Sequence, residues 1–555
     1  MTSITDRMRQ LQSLPPPKAR KLGVLAVRSL APAISTVLVF ASGLVMLIST
    51  ATPDYAARLR LVSALEPVTA IETSHFLTSL AGVALLFLAF GLANRLRKAW
   101  RTALIALVVA AAATLAKGFN YEEALFLSGV AGFLLIARPA FYRTAPLRSA
   151  PLSRGAVLAI LAALAAAAWL GFFTDKHVEY RDDLWWTFVA DQSAPRALRA
   201  AVGAAVLTLV LFAWRLSSHD TRPPVPALVD TTQVDAVLAG AEDPKPDANL
   251  AYLGDKHFIY SASGRSFIQY AARGRTWIAM GEPVGQGAER REMIWAFREL
   301  CDQHGAHPAF YSVRREHIAD FIDCGLVVAK IGERALVDLP AFSLEGAHRS
   351  LLRNALRRCQ REGMTFEVVP PEAFDALDPQ LRAISDAWLA RHSGSEKGFS
   401  LGRYDPDYLR RFPTALVRQE GEIIAFGNLW LTAGGQTFSI DLMRHRPGSP
   451  RVMEYMFTEL ILWGRQNGYA VFDLGLAPLS GLESRRLAPP ITRIGAAVYA
   501  SGGRLYGFEG LRAFKSKFTP RWEGMYMAAP SKWRLPRSLG DTALLSSGGV
   551  LKLFR

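Results

Sequence analysis

Residues 438–481 read FSIDLMRH, then RPGSP, then RVMEYMFTELILWGRQNGYA, then VFDLGLAPLSG. Apolar and polar residues alternate in FSIDLMRH, and VFDLGL is rich in β-formers, so both ends are expected to be strands. Between them Val452, Met456 and Leu460 recur at helical spacing, beside Leu462 and Trp463, and predict a helix over about 451–468. The intervening RPGSP is a turn. Strand, helix, strand is the signature of a mixed α/β sheet. It brings Asp441, Arg444 and Asp473 near the ends of neighbouring strands.

Working back from this stretch, residues 251–345 also have a mixed pattern. HFIYSASGRSFIQYAARGRTWIAM predicts strands joined at Gly turns, followed by a helix over about 288–304. Strand PAFYSV, a helix at 316–324 and strands VVAKIG and ALVDL follow. The order recurs downstream: MTFEVVP, a helix at 380–392, strands near 414–417, 423–431 and 437–443, then the 451–468 helix and the 471–476 strand. Two copies of one sheet with flanking helices describe this economically, although no residue identity links them.

The first 220 residues are of another kind. Apolar runs at about 30–50, 74–94, 101–117, 122–141, 155–174 and 197–215 are long enough, or nearly so, to span a bilayer. Arg and Lys cluster before the first run, between the second and third, and between the fourth and fifth. The positive-inside rule then places both termini in the cytosol, with Trp185 and Trp186 as outer interfacial anchors. Lys117 with Glu122 and Glu123 marks either a polar site at a span boundary or ordinary solvated charges. The expected architecture is an α-helical transmembrane bundle of about six spans (1–220), a Pro- and Asp-rich linker (221–250) and an α/β cytosolic region. That region comprises a first acetyltransferase-like module (251–345), a basic connecting helix (346–363), a second, catalytic module (364–535) and a tail (536–555).

The chain is 555 residues long with a formal net charge of +16, which points to nucleic acid or anionic lipid as partner. Its three cysteines lack paired spacing, which argues against a disulfide framework or a cysteine zinc site. The basic residues concentrate in GAHRSLLRNALRRCQREG. Arg349, Arg353, Arg357 and Arg361 recur every fourth residue and fall on one drifting helix face. Such a face suits the phosphates of RNA or lipid headgroups; a merely solvated face is the alternative.

The turn RPGSPR holds one Gly between two Pro, and Pro has no N–H. It therefore cannot present the run of backbone donors that cradles a coenzyme A pyrophosphate, which disfavours acetyl-CoA and leaves donors such as an aminoacyl ester on tRNA. No cofactor or metal is expected. Asp441 is a candidate general base or ammonium holder, and Arg444 a phosphate holder; three residues apart in a flat strand they would face opposite ways unless a bulge intervened. A structural ion pair is the plainer alternative. Glu454 favours the N-terminus of its own helix. GFEGLRAFKSKFTPRW interleaves Arg512, Lys515 and Lys517 with Phe514, Phe518 and Trp522, a pattern suited to a stacked nucleotide end.

Four motifs, DLGLAPLSG, KGFSLGR at 397–403, SIDLMRH and GLRAFKSKF, together with GLANRLRKAW, KGFNYEEA and RPAFYR in the membrane half, resemble the aminoacyl-phosphatidylglycerol synthases, the multiple peptide resistance factor family. The resemblance implies tandem acetyltransferase-like modules on the cytosolic face of a bacterial inner membrane. It implies transfer of an amino acid, lysine first and alanine second, from aminoacyl-tRNA to phosphatidylglycerol, lowering membrane negative charge and giving resistance to cationic antimicrobial peptides. Asp441 and Arg444 fall in its active-site motif, with Asp473 on the neighbouring strand. Lys515 and Lys517 fall in its C-terminal basic motif, and Lys397, Arg403, Glu454 and Arg512 join the substrate-binding set. The membrane region matches only the family's last spans, so synthesis is expected while the flipping of product is left open. Two rivals stand beside this: a lipid translocator or scaffold with a binding-only cytosolic domain, and a transferase acting on a peptidoglycan precursor. A homo-oligomer is left open.

Overall fold

The computed structural model describes residues 16–51, 68–118, 120–147, 153–174, 196–216, 230–391, 396–449, 451–501 and 508–548. The chain divides into two compact units, Met1–Thr221 with Asp302–Gly305, and Arg222–Cys301 with Ala306–Arg555.

The first unit is helical: α1 (Pro16–Ala51), α2 (Val68–Ala93), α3 (Arg97–Gly118), α4 (Tyr121–Ile136), α5 (Arg154–Thr174) and α6 (Arg196–Leu216). They fall on the six expected runs. Among the described residues, three stretches, Leu30–Thr50, Phe76–Ala93 and Arg97–Ala116, are long and apolar enough to cross a membrane. The apolar helices mark the chain as a membrane protein. Successive helices pack α1 on α2, α2 on α3 and α3 on α4. At the first contact a Cβ on Gly43 would lie 2.7 Å from the Gly82 carbonyl oxygen, so glycine is what lets the backbones meet. Glu122 and Glu123 lie in the first turn of α4, where a helix favours negative charge. Trp185, Trp186 and the basic residues ahead of Pro16 lie outside the described residues.

The second unit is built on one 11-stranded sheet of order β1-β2-β3-β4-β11-β5-β10-β9-β8-β7-β6. The strands are β1 (His257–Tyr260), β2 (Phe267–Arg273), β3 (Thr276–Met280), β4 (His307–Arg314), β5 (Val327–Asp338), β6 (Met364–Val369), β7 (Thr414–Gln419), β8 (Glu422–Leu431), β9 (Thr437–His445), β10 (Val471–Pro478) and β11 (Arg521–Ala529). Their helices are α7 (Thr231–Ala239), α8 (Arg290–Gln303), α9 (Ile318–Asp323), α10 (Ser350–Arg361), α11 (Phe374–Arg391), α12 (Pro406–Leu409), α13 (Val452–Gln466), α14 (Pro490–Ser501), α15 (Phe508–Ser516) and α16 (Leu535–Ser547).

The duplicated pattern is visible here. Antiparallel strands lead into a parallel pair joined by a helix twice, as β3–α8–β4 and as β9–α13–β10. The modules are not separate, however. β11 comes from the far end of the chain and pairs antiparallel with both β4 and β5, while β5 pairs with β10 on its other edge. The division at 345/364 therefore cuts a continuous hydrogen-bonded sheet. VVAKIG and ALVDL are one strand, β5.

The expected linker is also corrected over residues 230–250, its first part, 221–229, lying outside the described residues. Asp230 caps α7 by accepting from Thr232 N–H at 3.1 Å, and Pro246–Leu253 forms a 3-10 segment with Ala248, Leu250, Ala251 and Leu253 buried. Pro and Asp mark turn chemistry here, not a free tether. This segment lies against β8 and β9. One face of the second half-sheet is covered by α10 and α13 over Phe438 and Phe472. The other carries α11 and the 246–253 segment over Tyr408, Phe426 and Trp430. β8 is buried along nearly its whole length, which explains its unbroken apolar run IIAF and LWL around Gly427 and Asn428.

Candidate active site

β9 and β10 pair in parallel only through Val471, Phe472 and Asp473, opposite Thr437, Phe438 and Ser439. Beyond that point they diverge, and their backbone groups are released from the ladder. Irregularities cluster around this opening. The β8–β9 register shifts between Gly427 and Leu429, β10 against β5 between Asp473 and Leu476, and β11 against β4 beside Ser312, which holds φ 68°. Bulges re-aim side chains, and the shifts on β9 and β10 lie beside the charged residues Asp441 and Asp473.

On β9 the bulge displaces Asp441. Asn428 Oδ1 accepts from Leu442 N–H at 2.9 Å and fills the gap in the ladder. Asp441 Oδ1 accepts from Gly402 N–H at 2.8 Å, and Oδ2 from the Tyr408 hydroxyl at 2.9 Å. Tyr408 in turn accepts from Trp430 Nε1 at 2.9 Å. A side chain at 402 would strike the Asp441 carboxylate, so the glycine of KGFSLGR is required by space. Burial pushes the Asp441 carboxyl up to about 6, against the opposing pull of these hydrogen bonds and of the Lys256 cation. Lys256 is itself buried, donating to Asp255 Oδ1 at 2.6 Å and to the Leu250 carbonyl at 3.1 Å.

Arg444 is near enough to Asp441 for its charge to be felt, but its hydrogen bond goes to Glu396 Oε2 at 3.1 Å, and its guanidinium lies 4.0 Å over the Trp388 ring. Arg444 Nε and Glu396 Oε1 are buried without a hydrogen-bond partner among the described residues. They are donor and acceptor capacity still to be met. Lys397, beside them, is exposed. Arg403 donates to the Leu253 carbonyl at 3.1 Å and ties the 397–403 loop to the 246–253 segment.

On β10, Asp473 is fully engaged. Its Oδ2 accepts from Arg334 at 2.8 Å and its Oδ1 from Gly475 N–H at 2.8 Å. Arg334 also bridges to Asp247 at 2.5 Å and to Ser312 Oγ at 3.3 Å. Burial works against that guanidinium, but the charges of Asp473 and Asp247 hold it protonated, above its ordinary range. Asp473, expected to be catalytic, therefore anchors a buried ion cluster. Lys515 on α15 is buried on this side. Its ammonium donates to the Leu476 carbonyl at 2.9 Å, and burial lowers it to about 7 although Asp473 pulls the other way.

The remaining expected residues divide. Arg512 pairs with Glu333 and lies 4.5 Å over Trp522; Lys517 pairs with Glu454. Of the four-arginine stripe, Arg349 is buried, donating to the Lys517 carbonyl at 3.3 Å and Thr519 Oγ1 at 2.5 Å, with Phe342 4.5 Å beneath it. Arg353 holds the carbonyls of Leu344 and Gly346. Those two are structural, and only Arg357 and Arg361 remain on an open groove with Asn354 and Gln360. Four-residue spacing places side chains on one face, but that face drifts, and its N-terminal half turns into the protein. Sequence reasoning passed over Lys256, Arg334, Asp247, Tyr408 and Asn428. An arginine inside the apolar run of β5 was the one signal that could have exposed Arg334.

Compared with known proteins, residues 236–529 match the family described as phosphatidylglycerol lysyltransferase, C-terminal. Phosphatidylglycerol lysyltransferase from Bacillus subtilis is 30% identical over 517 residues, covering 92% of this chain and 58% of its own length. The chain thus spans little more than half of that relative. A solved C-terminal domain from Agrobacterium fabrum, assigned as a lysylphosphatidylglycerol synthetase, is 40% identical with a TM-score of 0.53, covering 58% of this chain and 98% of its own. L-PGS from Bacillus licheniformis is 36% identical with the same TM-score, 0.53, and the same coverage, 58% and 98%.

Proposed function

Since the chain belongs to the phosphatidylglycerol lysyltransferase C-terminal family, we propose that it is an aminoacyltransferase that moves an amino acid from aminoacyl-tRNA to the glycerol hydroxyl of phosphatidylglycerol. The observation that carries this is the opening between β9 and β10. On its β9 strand the Asp441 carboxyl is raised to about 6, and against its β10 strand the Lys515 amine is lowered to about 7, two groups each able to take or give a proton near neutral pH.

In this reading Asp441 takes the proton of the glycerol hydroxyl as its oxygen attacks the ester carbonyl. A new ester C–O bond forms, and the bond to the ribose oxygen breaks. The Lys515 ammonium stabilises the negative charge on the carbonyl oxygen and gives its proton to the departing ribose hydroxyl. Solvent returns the proton from Asp441 to Lys515. Tyr408, Gly402 and Asn428 hold Asp441 at its bulge, and the Arg334 cluster holds the β10 side rigid. Arg444 and Glu396, with unmet hydrogen-bonding capacity, meet the charged ends of the substrates. Arg357 and Arg361 meet the donor's phosphates. No cofactor is required, because the ester itself is the activated donor.

Lysine is the first choice of amino acid, as in the names of the relatives, and alanine the second. The reaction takes place at the inner leaflet with the catalytic unit in the cytosol. The product lowers the negative charge of the membrane and weakens its attraction for cationic peptides. The test is the purified full chain in mixed micelles with charged tRNA carrying a radiolabelled amino acid. Label should enter the solvent-extractable lipid, and ribonuclease or replacement of phosphatidylglycerol by phosphatidylcholine should abolish it. Transfer that survives ribonuclease, or that needs no phosphatidylglycerol, would overturn the proposal.

A further inference from the structure

α14 and the start of α16 share a foundation. Ile491 of α14 and Leu539 of α16 pack against one small core containing Ile331, Met525, Met527 and Leu535. The two helices therefore cover the same face of the sheet, over β5 and β11. α14 and the residues just ahead of both helices leave large apolar side chains in the open. Leu487 is 92% exposed, Ile494 64% and Trp533 92%. Isolated exposed apolar residues are ordinary, but two nearly complete exposures, each just ahead of a helix seated on this one core, mark an interaction surface.

The surrounding charge selects the partner. Arg486 and Arg493 interleave with Leu487 and Ile494, and Lys532 precedes Trp533; all three cations are exposed. The Arg493 side chain donates to the Arg486 carbonyl at 3.1 Å, holding the turn ahead of α14 against the helix. The partner is therefore anionic and has an apolar layer beneath its charge. Nucleic acid meets the first requirement, but stacking on bases needs aromatic planes, and two of the three exposed side chains are aliphatic. A bilayer surface containing anionic lipid meets both, with cations at headgroup level, Trp at the interface and Leu and Ile just below it.

We propose that the 485–494 segment and the Lys532–Trp533 turn form one bilayer-docking patch of the second unit, inserting Leu487, Ile494 and Trp533 into an anionic leaflet. This docking does not depend on which acceptor the active site uses. It gives the second unit a membrane contact of its own.

The test uses the full chain in lipid nanodiscs. The three native cysteines are buried, so single labels at Leu487→Cys and Trp533→Cys, with Glu422→Cys on the far half of the sheet as control, report locally. Both label sites are almost wholly exposed, so the substitutions leave the core intact. Each carries an environment-sensitive fluorophore, and the discs carry spin-labelled lipid. Quenching at 487 and 533 should exceed that at 422 by about twofold or more in discs containing phosphatidylglycerol. It should fall toward the control in pure phosphatidylcholine, and in the Arg486→Glu/Arg493→Glu background. Quenching equal to the control in both lipids would overturn the proposal. So would shielding of the labels that follows added RNA or protein concentration rather than lipid, which would assign the patch to another partner.

Discussion

Replacing Asp441 by Asn separates the chemistry of the site from its stability. The carboxyl moves from an ordinary 3.8 to about 6, and at about 1.4 kcal/mol per pH unit that is about 3 kcal/mol. Because the folded state binds this proton more tightly than the unfolded state, the stabilisation is present below pH 3.8 and is lost as pH rises through about 6. At neutral pH the ionised Asp441 thus costs the fold about 3 kcal/mol, which an amide in its place does not incur. Against this, an Asn amide facing the Tyr408 hydroxyl forces that hydroxyl to turn and costs roughly 1–3 kcal/mol at every pH. The stability difference between variant and parent should therefore shift by roughly 2.5 kcal/mol in favour of the Asp441→Asn protein between pH 4 and pH 8, while transfer falls by about 100-fold or more. Thermal unfolding of the full chain in mild detergent across that pH range, with transfer measured on the same samples, checks both. A stability difference that stays constant with pH, or a variant that transfers at the parental rate, would refute the reasoning.

Other outcomes follow from the same geometry. Arg334→Ala leaves Asp473 and Asp247 buried without their shared cation and should destabilise the second unit by roughly 3–5 kcal/mol, seen as a lowered unfolding midpoint. Lys515→Met should cut transfer by about 100-fold and remove the pH–rate limb near 7, and Lys515→Arg should not restore it, since guanidinium does not release its proton there. Arg357→Glu/Arg361→Glu should raise KM for the RNA donor and lower the salt dependence of that KM by roughly one to two in log–log slope, with kcat kept. Arg349→Ala should instead lower stability by about 2 kcal/mol with no change in salt dependence, because its partners are Thr519, the Lys517 carbonyl and Phe342.

The central strand–helix–strand was legible because its periods are strong. Val452, Met456 and Leu460 are all buried at the helical interval, and Phe438 and Phe472 stack in the core at 4.4 Å between centroids. The proximity of Asp441 and Arg444 required a bulge, and the bulge exists, but nothing local in SIDLMRH specifies it; Asn428 on the adjacent strand does. β11 was missed for the same kind of reason. RWEGMYMAA alternates weakly, and only pairing with β4 and β5, far earlier in the chain, makes it a strand. The role of Asp473 could not be read without Arg334 and Asp247, which lie far away in sequence. Arg349 and Arg353 show the limit of charge patterning. Spacing identifies a helix face, whereas what that face meets is decided by Phe342 and the carbonyls of the neighbouring loops.

The most direct test of the central claim is mass spectrometry of lipids extracted from a host that lacks aminoacylated lipids and expresses this chain. An aminoacyl-phosphatidylglycerol should appear with the parental chain and be lost with Asp441→Asn, its mass naming the amino acid. A folded, membrane-inserted chain that leaves phosphatidylglycerol unmodified, or a modified lipid that persists in the Asp441→Asn variant, would contradict the account.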